Sequence, residues 1–99
     1  MKLISYTTRP GQAAANREKI EAVFAALHAA RPEDFSYMVV EAGEGEFFHI
    51  VHATPAAIEH LQAMPAFQAF SATVGERQQA PSNRRDARVV GSYGTLVRA

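Results

Sequence analysis

Thr54-Pro55-Ala56-Ala57-Ile58-Glu59-His60-Leu61-Gln62-Ala63-Met64-Pro65-Ala66-Phe67-Gln68-Ala69-Phe70 reads as a capped helix, a proline break and a second short helical turn. The Thr54 hydroxyl suits the N–H groups that open a helix, and Pro55 fits the first helical position, where no N–H is needed. Pro65 removes a helical hydrogen bond, so the helical segment, spanning about residues 54 to 76, should kink or restart there. Upstream, Phe35 to Ala42 and Glu46 to Ala53 are apolar runs on either side of Gly43-Glu44-Gly45, which signals an antiparallel hairpin. Before it, Ile20, Val23, Phe24 and Leu27 recur at spacings of three and four, which predicts a helix from about 13 to 31 that stops before Pro32. Residues 2–8 form the first predicted strand, closed by the turn Arg9-Pro10-Gly11. Downstream, Gln78 to Asp86 reads as a polar loop and Arg88 to Val97 as the last strand.

The order β-α-β-β-α-β predicts a ferredoxin-like α+β fold. It has an antiparallel four-stranded sheet with two helices on one face, because β-α-β crossovers are right-handed. Residues 1–99 make a single domain, and a chain of this length buries only about 60–70% of the surface its unfolded state exposes. Strand alternation puts Phe47, His49 and Val51 on one side of the sheet and Phe48, Ile50 and His52 on the other. Both sets are largely apolar. The first set, with Tyr37 and Val39, is assigned to the uncovered face and predicts a homodimer through it.

Composition excludes several classes of function. Ten basic and ten acidic residues cancel, so the electrostatic footprint of a polyanion binder is missing. A sheet face carrying aromatics suggests the RNA recognition motif as a rival, but acidic Glu44 stands where its signature is basic and Glu46 adds a second acid, so no nucleic acid is expected. The chain has no cysteine, which rules out disulfides, thiolate metal sites and thiol catalysis. His49 and His52, three apart on a strand, point to opposite faces and cannot share a metal, and no metal site is expected. The early polar residues and the lack of a long apolar run predict no signal peptide and no membrane span, hence a cytoplasmic protein.

The run of small residue, Pro, any residue, Phe, polar residue, Ala, Phe ending at Phe70 resembles the second helix of the antibiotic biosynthesis monooxygenase family of dimeric α+β barrels. The resemblance implies pairing into such a barrel, with a substrate pocket between sheet and helices. In the haem-degrading branch a tryptophan stands at the position of Phe67 and the iron-ligating histidine at that of Ser71, so the resemblance implies no haem. What remains is cofactor-independent oxygenation of a small aromatic, phenolic or quinol-like substrate by dioxygen. The alternative is a non-catalytic small-ligand-binding or stress-associated homodimer of the same fold.

Such oxygenation needs a base near neutral pH, an apolar pocket and a donor for oxyanion charge. If Val40 pairs with Phe48, then Met38 faces Ile50 and Ser36 faces His52, on the side assigned to the helices. His52 is therefore the candidate catalytic base, or alternatively a strand-end histidine satisfying a backbone group. Ser36, Tyr6 or Tyr93 would orient the substrate oxygen. His60, on the flank of the buried stripe of the second predicted helix, is a candidate pocket residue, with a boundary structural role as the alternative. Met38, Met64, Phe48, Ile50, Phe67 and Phe70 would line the pocket, and the same pattern also suits an ordinary core. Arg77, Arg84, Arg85 and Arg88 flank the polar loop, as a clamp on an anionic substrate or on the partner subunit, or as solvated charge.

Overall fold

A computed structural model describes residues 1–94 of the chain. The elements are β1 (Lys2–Thr7), α1 (Ala13–Ala30), β2 (Phe35–Ala42), β3 (Glu46–Ala53), α2 (Pro55–Ala63), α3 (Pro65–Arg77) and β4 (Asn83–Asp86). The sheet is antiparallel with strand order β2-β3-β1-β4, the arrangement expected of a ferredoxin-like fold. The hairpin register is the one predicted, pairing Val40 with Phe48, Met38 with Ile50 and Ser36 with His52. Its turn places Gly43 at φ 58° and Gly45 at φ 101°. A Cβ on Gly45 would also lie 2.7 Å from the Thr8 hydroxyl, so the tight hairpin end and β1 can meet only at a glycine.

The Thr54 side chain caps α2 by accepting from the Ala57 N–H at 3.2 Å, and Pro55 takes the first turn. Met64, in extended conformation, separates α2 from α3, and Pro65 opens the latter. The second element is therefore a full thirteen-residue helix rather than a short turn. Its rows of Phe67, Phe70 and Val74 continue the apolar face beyond the break.

The last strand is displaced from its predicted place. β4 lies in the stretch read as a polar loop and pairs with β1, Leu3 opposite Arg85 and Ile4 opposite Arg84. Residues 88–94 form no strand, and positions 95–97 of the predicted element lie outside the described residues. Backbone pairing to β1 and the Lys2–Asp86 ion pair at 2.7 Å hold β4, so its polar composition concealed it.

The assignment of sheet faces is also corrected. Phe47 (1% exposed), His49 (4%) and Val51 (8%) are buried beneath the helices, and the core joins Tyr6 and Phe47 to Ile20, Val23, Leu27, Leu61, Met64 and Phe70. Phe35, Tyr37 and Val39 pack against the same cluster. The uncovered face carries the other set: Leu3, Met38, Phe48 and Ile50 half-buried, with Val40, Ser36 and His52 exposed. Period-two alternation separates two sets of side chains but cannot say which set the helices cover when both are apolar.

Candidate functional site

The region between helices and sheet contains a continuous chain of buried polar groups. Arg77, at the end of α3 and 5% exposed, donates from Nε to Asn16 Oδ1 at 2.9 Å. Asn16, fully buried on α1, donates from Nδ2 to the Tyr6 hydroxyl at 2.9 Å. That hydroxyl lies 2.8 Å from His49 Nε2, and the Tyr37 hydroxyl lies 2.7 Å from His49 Nδ1. Four elements thus meet in one line: α3, α1, β1 and the β2–β3 hairpin.

Aromatic rings enclose the line. His49 lies 5.6 Å from Phe70 between ring centroids, Tyr6 stacks on Phe47 at 5.7 Å, and Tyr37 leans on Phe24 at 4.9 Å. The Arg77 guanidinium sits 5.5 Å from the Phe70 ring centroid and donates to Thr73 Oγ1 at 2.6 Å. With no carboxylate among these contacts, its charge is met by neutral acceptors and an aromatic face.

Burial sets the protonation states. Desolvation, reinforced by the charge of Arg84, holds the His49 imidazole down at about 4, so it is neutral at pH 7. Burial and the neighbouring Tyr6 keep the Tyr37 phenol well above its ordinary range. Burial also raises Tyr6, against the opposing pull of its Asn16 hydrogen bond and the Arg77 charge. The three groups together form a neutral hydrogen-bonded unit.

Beside this unit, a groove of about 1100 Å³ opens between α1 and β2. Ile20, Phe24 and Leu27 form one wall, and Phe35, Tyr37 and Val39 form the other. Arg17 marks one end, bound to both Glu41 carboxylate oxygens at 2.9 Å, while His28 and Arg31 stand toward the other. Partial burial pushes the Glu41 carboxyl up, but the Gly45 N–H and Arg17 outweigh it and keep it below the ordinary carboxylate value. The groove presents aromatic and aliphatic surface with a phenol at its wall, a combination suited to a flat apolar molecule with a polar edge.

The predicted site residues separate into two groups. Tyr6, Met64 and Phe70 are buried and Phe67 half-buried on the helix side. His52 and Ser36 are exposed on the uncovered face, with Phe48 and Ile50 half-buried beside them. Met38 shares that parity but reaches the groove from the edge strand. His60 is exposed on α2 and Tyr93 fully exposed after β4, so neither joins the buried unit. His52 is therefore not placed between sheet and helices; His49 is, reversing the expected positions of the two histidines. Among the described residues, no three metal-ligating side chains converge.

Asn16, Tyr37 and His49 carry no site role in the sequence reading, and Arg77 enters it as a charge beside the polar loop rather than as a core group, yet two of these residues leave a trace. Asn16 precedes Ile20 by four residues and so sits on the buried stripe of its helix, and Arg77 follows Phe70 by seven, on the same face of α3. A polar residue on an apolar stripe signals a partner inside the core.

Solved structures share this architecture over nearly the whole chain. A candidate antibiotic biosynthesis monooxygenase from Bacteroides thetaiotaomicron superposes with a TM-score of 0.76 at 13% identity, covering 96% of this chain and 92% of that one. A second, from Nitrosomonas europaea, gives 0.72 at 9% identity, covering 94% and 91%. The chain has an antibiotic biosynthesis monooxygenase-like fold. Rv0793 from Mycobacterium tuberculosis superposes with a TM-score of 0.71 at 20% identity, covering 93% of this chain and 96% of its own. No protein-family model and no curated protein matches the sequence. The monooxygenase-like fold thus rests on the backbone, while its chemistry must be argued from the groove and the buried polar chain.

Proposed function

We propose that the protein is a monooxygenase-like homodimer that takes a small aromatic, phenolic or quinol-like molecule into the groove between α1 and β2 and oxidises it with dioxygen, without a tightly held cofactor. The observation that carries this reading is the aromatic-walled groove backed by the Tyr37–His49 hydrogen bond. An apolar site admits dioxygen, and a phenol at its wall supplies a donor for charge on a substrate oxygen. For a phenol with a free para C–H, one oxygen atom enters the ring as a quinone carbonyl and the other leaves as water. The substrate provides the electrons.

The alternative reading, a ligand-binding dimer that does not turn over, has one specific observation behind it. Both His49 nitrogens are engaged by tyrosines, so the buried histidine has no free nitrogen with which to take a substrate proton. Oxygen uptake with a panel of hydroquinones and polyphenols separates the two. The oxygenase reading expects consumption that saturates with substrate and falls by about 10-fold or more in Tyr37→Phe. Saturable binding without oxygen uptake selects the non-catalytic reading, and no binding at all removes both.

The dimer would form through the uncovered face carrying Leu3, Met38, Val40, Phe48 and Ile50. Two neighbouring positions make the test decisive. Ile50→Asp, on that face, is expected to give a folded monomer in light scattering, whereas Val51→Asp places an unpaired charge in the core and is expected to unfold the chain. A wild-type monomer at micromolar concentration would refute the assembly.

A further inference from the structure

The buried polar chain contains one more phenol proton than it has places for. Arg77 can only donate, so the amide of Asn16 must turn its oxygen to Arg77 and its nitrogen to Tyr6. The Tyr6 oxygen therefore already accepts one hydrogen bond. The neutral ring of His49 carries one N–H and one bare nitrogen, so of its two tyrosine partners one donates to the ring and the other accepts from it. The phenol that accepts from the ring is left with its own proton unused. At Tyr6, 7% exposed and flanked by Asn16 and His49, that proton would face no further acceptor among the described hydrogen bonds. Tyr37 is one of the residues lining the groove and is only half-buried, so there the proton has an outlet that Tyr6 lacks.

We propose that Arg77, acting through Asn16, polarises this chain so that Tyr6 donates to His49 Nε2, His49 Nδ1–H donates to Tyr37, and the Tyr37 hydroxyl proton is left for an oxyanion of a bound ligand. The ligand half rests on the groove being a site for phenolic molecules, as proposed above; the direction of the chain does not. Asn16 and Arg77 act as positioning residues, remote from the ligand, and Tyr37 is the group that touches it. A phenolate oxygen is the acceptor best matched to such a donor, because a hydrogen bond to a charged oxygen is stronger than one to a neutral oxygen.

Replacing Asn16 by Asp reverses the direction without changing the shape. A carboxylate has no N–H to give, so one of its oxygens accepts from Arg77 and the other accepts from the Tyr6 hydroxyl. The Tyr6 oxygen then takes the His49 Nε2–H, bare Nδ1 takes the Tyr37 proton, and nothing remains for the groove. Nitrogen-15 NMR of the His49 ring in the full-length protein reads this directly, since protonated and bare ring nitrogens resonate far apart. The expected result is Nδ1–H in wild type and Nε2–H in Asn16→Asp, and Nε2–H in the wild type overturns the proposal. Binding of p-nitrophenolate, followed by its absorbance, tests the ligand half. Tyr37→Phe and Asn16→Asp should each weaken it by about 10- to 100-fold. Unchanged affinity in both variants overturns the assignment of Tyr37. Wild-type protein that carries Nδ1–H but leaves p-nitrophenolate unbound refutes the phenolic reading of the groove and this ligand assignment together, while the polarity of the chain stands.

Discussion

Replacing Asn16 by Leu is expected to destabilise the protein by about 3–5 kcal/mol, the scale found when one partner of a buried charged network is removed. The leucine keeps the branched outline of asparagine, so the main change is the loss of polarity, with its bulkier methyl groups adding some overpacking at this fully buried position. It leaves the Arg77 Nε–H without its acceptor and the Tyr6 oxygen without its donor, both inside the core. For a domain of this size such a loss lowers Tm by roughly 12–40 °C. Circular dichroism melts would measure it, and a loss below about 1 kcal/mol would mean that water or a side-chain shift readily replaces the amide. Asn16→Asp should lose much less, since its carboxylate keeps the acceptor and gains the Arg77 charge, so the pair of variants separates polarity from shape.

Acid should weaken the fold through His49. Its folded value of about 4 lies below the ordinary 6.5, chiefly because burial disfavours the imidazolium. Between those values the unfolded chain binds a proton that the folded chain refuses, so stability rises with pH in this window. The contribution is complete above about pH 6.5 and declines on acidification to about pH 4, for a total near 3 kcal/mol. Glu41 is held below its ordinary value once the Gly45 N–H and Arg17 outweigh partial desolvation, and Asp86 is lowered by Lys2. Both carboxylates add to the loss only at more acid pH. Urea melts across pH 7.5 to 4 would show the slope, and His49→Gln should flatten it between 6.5 and 4. An imidazole of His49 that titrates near 6.5 in the folded protein would contradict the burial argument.

The two effects share a cause. A cluster of polar groups is held in the middle of an apolar core, each bonded to the next, so its members are costly to remove and its histidine is hard to charge. The same arrangement can present a fixed hydrogen-bond donor to a groove without exposing the groups that aim it. Its supporting elements are tied at the far end as well: Arg9 donates its backbone N–H to Arg77 O at 2.7 Å and its Nε–H to Gln78 O at 2.9 Å, joining the end of β1 to the end of α3.

Local chemistry was enough to settle the element order from sequence. Thr54 and Pro55 mark the start of α2, Pro65 marks the break, and Gly43 and Gly45 mark the hairpin. Each acts through backbone constraints within a few residues, so each is legible without a fold. The hairpin register followed for the same reason, because a short turn leaves few ways for Phe35–Ala42 to meet Glu46–Ala53. β4 escaped because Asn83–Asp86 is held by pairing with β1 rather than by any pattern of its own.

Of the buried polar chain the sequence reading offered Tyr6 as a site residue, and tertiary structure decided the rest. Alternation along β3 separates His49 from His52 but cannot tell which face the helices take, since Phe47 and Val51 are no more apolar as a set than Phe48 and Ile50. That choice came from how α1 and α3 pack, and it moved the buried histidine from position 52 to position 49. The hydrogen bonds that define the polar chain join residues 10, 12, 43 and 61 positions apart in sequence, beyond the reach of any local motif. Sequence alone could determine where the backbone turns, because that is written in neighbouring residues; which side chains meet inside is a property of the assembled layers.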